Sequence, residues 1–218
     1  YLYSTNGVSN DDTTTNKKKV VVIGSGPNRI GQGIEFDYCC VHGISSLKEN
    51  GFEAIMINSN PETVSTDYDT ADKLYFEPLT WREVKSVLNR EKPDSVIIQL
   101  GGQTPLKLAK NISKEGFNIA GSSLDVIDKT EDRDLFQKLC LDQNIRQPES
   151  KIAKNENELV EAVREIGFPV LLRPSYVLGG RAMRVVQSDE ELENYLDILA
   201  SADEDGNPFK SGPLLVDQ

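Results

Sequence analysis

The sequence predicts an α/β fold in which a parallel sheet, covered by helices on both faces, is followed by a small antiparallel α+β unit. Two observations predict it. Short apolar segments alternate with helical patterns between about residues 19 and 121, as in a doubly wound parallel sheet. After about residue 122, four short strand patterns are interspersed with few helices, which favours antiparallel pairing.

In the first part, each strand pattern is a short run rich in apolar residues, and glycines or polar residues mark the boundaries. The predicted strands are residues 19–24, 53–58, 73–77, 95–100 and 117–121, and the predicted helices are residues 33–50, 80–90 and 104–116. Gly51 is placed to end the first helix at its C′ position. The segment "TWRE" is a capping box for the second helix. Thr104 is expected to cap the third helix, with Pro105 at its first position.

The second part begins with a helix predicted over residues 124–144, with Arg133 on its second turn. Strands are predicted at residues 150–154, 169–174, 182–187 and 213–217, and helices at residues 155–166 and from 188 onwards. Gly167 is expected to close the first of these helices, and the capping box "SDEE" to open the second. Because the last strand pattern runs to the end of the sequence, we expect the chain to be a piece of a longer protein.

Composition restricts the classes of function. The formal net charge of −11 and the pI near 4.7 argue against nucleic acid as a partner. No apolar run has the length of a membrane span and no signal peptide opens the sequence, so we expect no membrane and a cytoplasmic location, with a mitochondrial one as the alternative. The three cysteines are expected to be buried thiols. His42 is the only histidine, which excludes histidine triads and multi-histidine metal sites.

Three polar loops follow strands of the first part, at the edge where parallel sheets bind ligands. Residues 24–33 resemble a G-x-G-x-x-G pattern, but the second strand ends on Asn58 instead of an acidic residue, which disfavours a dinucleotide site. The other two loops are residues 58–72 and 101–105. Together they favour a polar-ligand site, although unrelated surface loops are the alternative.

The loop between the last two hairpin strands of the second part is longer than a simple hairpin needs. Its glycines, Gly179 and Gly180, let backbone amides approach a ligand, and Arg173 and Arg181 supply positive charge in an acidic protein. This combination suits a flap over polyphosphate. A long hairpin turn with incidental arginines is the alternative.

Several long stretches carry a resemblance to a known family. They are "GPNRIGQGIEFDYCCVH", "NPETVSTDYDT", "LYFEP", "GGQTPLKLA", "EDR" and "RPSYVLGGRAM", and they occur in the family's order and spacing. From about Lys19 to Gln218 the chain resembles the large chain of carbamoyl phosphate synthetase, a tandem enzyme with two homologous ATP-grasp halves. The sequences "GPNRIGQG" and "RPSYVLGGRAM" are similar to those of the carboxyl-terminal half. That half phosphorylates carbamate with ATP and yields carbamoyl phosphate and ADP.

The resemblance implies an arrangement of domains. It implies a linker and the remnant of a preceding helical domain at residues 1–17, a pre-ATP-grasp domain at residues 18–127 and an incomplete ATP-grasp lid at residues 128–218. The parent would be an ATP-dependent ligase of pyrimidine or arginine biosynthesis. Its partners would be carbamate and ATP, the rest of the large chain, and a glutaminase, either as a subunit or as a fused domain.

The resemblance also implies site residues. Arg133, Arg173, Gly179, Gly180 and Gln218 correspond to ATP-binding positions. ATP and magnesium or manganese are the implied cofactors. The metal ligands fall downstream of Gln218, so no catalytic or metal-binding residue is assigned here and the isolated chain is expected to be inactive. A stand-alone nucleotide- or small-molecule-binding α/β module is the alternative. The sequences of the first loop and of the flap disfavour a biotin carboxylase relative.

Overall fold

The computed structural model describes residues 14–28, 33–174, 183–201, 209 and 212–218, with the backbone alone at Arg133, Asp134, Pro174 and Leu199. The chain forms two compact units, Tyr1–Phe136 and Gln137–Gln218. In the described part of the chain, no helix is both long and apolar enough to cross a membrane. We describe the two units separately.

The first unit contains a four-stranded parallel sheet, as the sequence predicts. Its strands are β1 (Lys19–Ile23), β2 (Glu53–Ile57), β3 (Lys73–Tyr75) and β4 (Ser95–Ile97), in the spatial order β3-β2-β1-β4. All three pairings are parallel. The chain adds β2 and β3 on one side of β1 and β4 on the other, so the strand order reverses between β1 and β4. The carboxyl ends of these two strands flank the switch point at which such sheets bind ligands.

Helices pack on both faces of this sheet. They are α1 (Glu35–Glu49), α2 (Trp81–Glu91), α3 (Gln103–Leu106), α4 (Ala109–Lys114) and α5 (Leu124–Glu131). Alternate residues of β1 and β2 enter two separate cores: Val21 and Ile55 pack with α2 and α4, whereas Val22 and Met56 pack with α1. Because both faces are buried, each strand is apolar throughout and its pattern does not alternate.

Two predictions in this unit need correction. The fifth predicted strand, residues 117–121, is reduced to a single parallel bridge between Val96 and Ile119. The predicted helix 104–116 is two short helices, and the first begins at Gln103 instead of after Thr104. Gly102 immediately precedes this helix with a φ of 70°, and a Cβ at this position would overlap the ring of Phe36, so the position suits glycine.

The amino-terminal edge of the sheet holds a buried cluster of charged groups that the sequence analysis did not anticipate. The carboxylate of Glu91 accepts hydrogen bonds from Lys19 Nζ at 2.8 Å, Lys73 Nζ at 3.1 Å and the Tyr75 hydroxyl at 2.6 Å. The Glu91 side chain has no exposed surface, and that of Lys19 is 5 % exposed. The cluster therefore joins the first residues of β1 and β3 to the last turn of α2.

The second unit is an antiparallel sheet with two helices packed on one face, which confirms the predicted fold class. Its strands are β5 (Ser150–Ala153), β6 (Val170–Pro174), β7 (Arg184–Val186) and β8 (Leu214–Asp217), in the order β5-β8-β6-β7. All pairings are antiparallel. The helices are α6 (Arg133–Asp142), which begins just before this unit, α7 (Glu156–Ile166) and α8 (Asp189–Ser201).

The helix predicted over residues 124–144 is broken into α5 and α6. Asp132 interrupts it with an extended backbone, with φ −83° and ψ 124°. Its carboxylate accepts a hydrogen bond from the amide of Leu135 at 2.9 Å, so it acts as the N-cap of α6. Arg133 is consequently the first residue of a new helix and not part of a second turn.

Candidate functional site

Three loops meet at the carboxyl edge of the parallel sheet, as their positions after β1, β2 and β4 predict. The amide of Gly26 donates a hydrogen bond to the side chain of Asn58 at 3.0 Å, which joins the first loop to the second. A Cβ at Gly101 would overlap the carbonyl oxygen of Ile23, so the third loop lies directly against the end of β1. The sequence therefore places these loops together through small residues and one amide side chain.

Asn58 is the centre of this arrangement. It is 1 % exposed, and its Oδ1 also accepts a hydrogen bond from the amide of Ser59 at 2.9 Å. Its Nδ2 donates to the hydroxyl of Ser65 at 3.0 Å. Asn58 occupies the position where a dinucleotide site would have an acidic residue. Its side chain instead forms hydrogen bonds that hold the loops together, so it is not free to bind a ribose.

Much of the polar content of the second loop is also used internally. Asn60 accepts a hydrogen bond from the amide of Glu62 at 3.1 Å, and Thr66 donates its hydroxyl to the carbonyl of Asn60 at 2.9 Å. Asp37, in the first turn of α1, accepts a hydrogen bond from the amide of Ser65 at 3.2 Å. Its other oxygen, Oδ1, is buried and has no hydrogen-bond partner among the described residues. These contacts make the edge a rigid frame.

The cysteines and the histidine correct one prediction. Cys40 and Cys140 are buried as expected, but Cys39 is exposed. Burial, with the negative charge of Asp37 beside it, raises the pKa of the Cys40 thiol to about 12. His42 is exposed and its ring lies 4.3 Å from that of Tyr38, centroid to centroid. In the part of the chain that the structure describes, no group of three or more histidine, cysteine or acidic side chains is placed to hold a metal ion.

In the antiparallel unit, the two faces of the sheet differ in character. Leu172 and Val216 belong to the core under α7 and α8. Side chains alternate along a strand, so Arg173, next to Leu172 on β6, and Asp217, next to Val216 on β8, point to the opposite face. The register pairs Leu171 with Asp217, so Arg173 and Asp217 are diagonal neighbours on adjacent strands.

Arg173 and Asp217 form an ion pair on that face. The Nε atom of Arg173 lies 2.5 Å from Oδ2 of Asp217, and the side chains are 38 % and 12 % exposed, respectively. The Nε is buried and makes no hydrogen bond of acceptable angle to any described residue. We regard the contact as a true ion pair, because the attraction between charges depends less on angle than a hydrogen bond does.

The other predicted ATP-binding residues are placed to different degrees. Gln218 directly follows β8 and donates its amide to the carbonyl of Glu149 at 2.8 Å, so it lies one strand away from Arg173. Arg133 is the first residue of α6, and the structure describes its backbone but not its side chain. Gly179 and Gly180 lie outside the described residues. Of the predicted positions that the structure describes, Arg173 lies on β6 and Gln218 directly follows the neighbouring strand β8.

A cleft of about 530 Å³ lies near the carboxyl end of α6 in the same unit. Its lining includes Leu141, Ile145, Arg146, Glu149 and Ser150. Because Glu149 also pairs with Gln218, the last residue of the chain lies beside this cleft. The cleft offers both apolar and polar groups to a ligand.

The sequence analysis missed Asp217, which the structure shows beside Arg173. A signal was present: "PLLVD" is an apolar strand that ends on an acid, and a carboxylate on a largely buried strand needs a partner. Asp37 was missed as well, although an acidic residue in the first turn of a helix is a familiar position for one. In both cases the partner is distant in sequence.

Two family models together cover the chain. Residues 16–129 match the carbamoyl phosphate synthase preATP-grasp domain, and residues 132–218 match the carbamoyl-phosphate synthase L chain, ATP binding domain. The chain is 56 % identical over 197 residues to a protein of Aquifex aeolicus (strain VF5) described as carbamoyl phosphate synthase large chain, C-terminal section. That match covers 90 % of this chain and 36 % of the relative.

A second relative is the carbamoyl phosphate synthase large chain of Neisseria meningitidis serogroup B (strain ATCC BAA-335 / MC58), 54 % identical over 217 residues. The match covers 100 % of this chain but 20 % of the relative, so the chain spans about a fifth of that protein.

Solved structures show the same fold at low identity. The biotin carboxylase domain of 2-oxoglutarate carboxylase from Hydrogenobacter thermophilus, solved with MgADP and bicarbonate, superposes with a TM-score of 0.65 at 20 % identity and covers 93 % of this chain and 44 % of that one. An N5-carboxyaminoimidazole ribonucleotide synthetase in complex with ADP gives a TM-score of 0.62 at 13 % identity, covering 92 % and 46 %. The fold is therefore that of the ATP-grasp enzymes, and by the two family models and the relatives the chain belongs to the carbamoyl phosphate synthase large-chain family.

Proposed function

We propose that this chain is part of the synthetase half that phosphorylates carbamate with ATP, giving carbamoyl phosphate and ADP. Two observations support this half over the other. The loop "GPNRIGQG" and the segment "RPSYVLGGRAM" resemble the carboxyl-terminal half. A relative 56 % identical to the chain is described as a C-terminal section.

The observation that carries the proposal is the position of Arg173. Its side chain lies on the sheet face turned away from α7 and α8, is 38 % exposed, and forms an ion pair with one carboxylate. A partly exposed arginine on a rigid strand can bind phosphate oxygens through two donors at once, which suits a polyphosphate. We assign the ATP phosphates to this face, with Gln218 directly after the neighbouring strand β8. Arg133, Gly179 and Gly180 are proposed as ATP-binding positions by the resemblance alone.

The chemical step needs positioning and charge stabilisation. An oxygen of carbamate attacks the γ-phosphorus, a new P–O bond forms, and the bond from that phosphorus to the β–γ bridging oxygen breaks, so ADP leaves with the electron pair. Arg173 would stabilise the negative charge on the transferred phosphoryl oxygens, and the protein need not form a covalent intermediate.

A divalent metal ion would supply charge neutralisation at the phosphates. By the resemblance its ligands lie beyond Gln218, and ATP with magnesium or manganese would serve the parent enzyme. The residues described here fit the phosphate part of the ligand, because Arg173 offers a partly exposed cationic fork that the carboxylate of Asp217 contacts only at Nε.

The rest of the proposal concerns the parent protein. We assign residues 18–127 to the pre-ATP-grasp domain, residues 128–218 to an incomplete lid and residues 1–17 to the linker that precedes them. The family-model matches, at residues 16–129 and 132–218, support boundaries close to these. The rest of the large chain and a glutaminase are the proposed partners, and the chain alone is expected to be inactive.

Two partial reactions of the full-length protein test the proposal. Arg173→Met keeps the packing of the stem and removes the charge, so formation of ATP from carbamoyl phosphate and ADP should lose on the order of 2–4 kcal/mol of transition-state stabilisation. Bicarbonate-dependent ATP hydrolysis, which belongs to the other half, should persist. Arg164→Met is the matched control, because Arg164 is exposed at the end of α7. If Arg173→Met forms ATP at the rate of the control, the assignment is wrong.

A further inference from the structure

We propose that Asp217 is a positioning residue: its carboxylate holds the guanidinium of Arg173 by the Nε side and leaves the two terminal nitrogens for a phosphate. The inference rests on the proposed function, because it concerns the arginine to which that function assigns the ATP phosphates. Nothing in the family-model matches or in the descriptions of the relatives assigns a role to Asp217.

The first observation is geometric. Arginine presents its donors in a planar fork, with one N–H on Nε and two on each terminal nitrogen. The contact with Oδ2 of Asp217 is made by Nε, at 2.5 Å. Because the fork is rigid, fixing one edge fixes the direction of the remaining donors. In the described part of the chain, the structure shows no other charged group within ion-pair distance of Arg173.

The second observation is the cost of placing a carboxylate at this position. Asp217 is 8 % exposed overall, and Leu215 on the same strand face is 5 % exposed. Leu171 is directly opposite Asp217 in the register. An apolar residue would suit these neighbours, and a buried ion pair is often no more stabilising than a well-packed apolar pair. A charge that breaks the local preference for apolar residues is expected at a functional site.

The third observation is that the two partners are on the two central strands of the sheet. β8 is a central strand, bonded to β5 on one side and to β6 on the other. Asp217 therefore has little freedom, whereas a long arginine side chain on its own has many rotamers. Removing the carboxylate should leave the strand intact and let the guanidinium sample other directions, which weakens its hold on phosphate.

A double-mutant cycle in the full-length protein tests this, with ATP formation from carbamoyl phosphate and ADP as the readout. Asp217→Asn should lower kcat/KM for ADP in this reaction by about 10- to 100-fold, as for other groups that orient a ligand-binding residue. In the Arg173→Met background the same change should have less than about a twofold effect, because the residue it orients is gone.

Controls separate positioning from a structural role. Glu165→Gln removes one acidic charge from an exposed ion pair with Lys151 in the same unit and should have no effect. Asp217→Leu should lose the same activity as Asp217→Asn with only a small fall in melting temperature, because the side chain of Arg173 is 38 % exposed and its guanidinium can turn towards water. A purely structural role predicts loss of stability in step with activity.

The outcomes distinguish the two proposals. If Arg173→Met has full activity, the proposed function fails. If Arg173→Met loses activity but Asp217→Asn and Asp217→Leu do not, only the positioning role is overturned. It is also overturned if Asp217→Asn is equally damaging in the Arg173→Met background. In each variant, bicarbonate-dependent ATP hydrolysis shows that the other half is intact, and the melting temperature shows whether this half is folded.

Discussion

The buried cluster around Glu91 makes a prediction about stability. In Glu91→Gln, the two lysines lose their carboxylate: Lys19 Nζ lies 2.8 Å from it and Lys73 Nζ 3.1 Å, and both of these side chains are largely buried. The amide that replaces the carboxylate has only one acceptor oxygen, which can accept from one of the lysines. Its NH₂ group is a donor, so on the other side a donor would face a donor. Lys19, whose side chain is 5 % exposed, is therefore left without its counter-ion, whereas Lys73 keeps the carboxylate of Glu53 at 3.9 Å.

The size of the effect follows from the burial. Breaking a buried ion pair by removing one partner costs about 3–5 kcal/mol, because the remaining charge is uncompensated. The matched control is Glu115→Gln, whose carboxylate pairs with Lys85 at 2.5 Å but where both side chains are 37 % exposed. An exposed pair contributes about 0–1 kcal/mol. Glu91→Gln should thus destabilise the unit several times more than Glu115→Gln.

The pH dependence adds a second signature. Burial alone would raise the pKa of Glu91, but the hydrogen bonds from Lys19, Tyr75 and Lys73 outweigh it and hold that pKa below its ordinary value. A carboxyl group with a lowered pKa in the folded state contributes stability above its unfolded pKa of about 4.3. That contribution is lost as the pH falls through the lower folded pKa, so the wild type and Glu91→Gln should converge in stability in acid.

Urea unfolding of the 218-residue chain measures this. Trp81 is the single tryptophan and lies in α2, the helix that carries Glu91, so its fluorescence reports on the first unit alone. Equal midpoints for Glu91→Gln and Glu115→Gln near neutral pH would refute the reasoning about burial.

Two further predictions concern the carboxyl edge and the thiols. Asn58→Ala should destabilise the first unit by about 1–3 kcal/mol, since the amides of Gly26 and Ser59 lose their acceptor; Trp81 fluorescence in urea measures it, with the exposed Asn50→Ala as the control. A disulfide reagent should react quickly with one thiol of the folded chain, Cys39, and slowly with Cys40 and Cys140, because the latter are buried. A fast phase that survives in Cys39→Ser would contradict this.

The fold was largely predictable because its signals are local. Strands buried on both faces are apolar throughout, and Gly51 and Gly167 mark helix ends by their positive φ. The errors arose where a distant or competing contact decided the outcome. Residue patterns alone predict one continuous helix, but Asp132 caps a new helix at that point. The close approach of Gly102 to Phe36, just before α3, likewise joins positions that are far apart in sequence.

The candidate site was predictable only in part. The resemblance indicated Arg173 and Gln218, and strand pairing brings them to neighbouring strands. The pairing of Arg173 with Asp217 depends on residues 44 positions apart, and so does not appear in any local pattern. The same holds for Asn58: an amide after a strand gives no sign that it will join Gly26 to Ser65.

Photoaffinity labelling tests most directly the claim that the face with Arg173 binds the phosphates of ATP. The full-length protein would be irradiated with an ATP analogue that carries a photoreactive group on its γ-phosphate, and labelled peptides mapped by mass spectrometry. The predicted result is labelling of the peptide that contains β6, suppressed by excess ATP and reduced in Arg173→Met but not in Arg164→Met. If that peptide is unlabelled while ATP-suppressible labelling occurs only in other parts of the protein, the phosphates bind elsewhere and the claim is wrong.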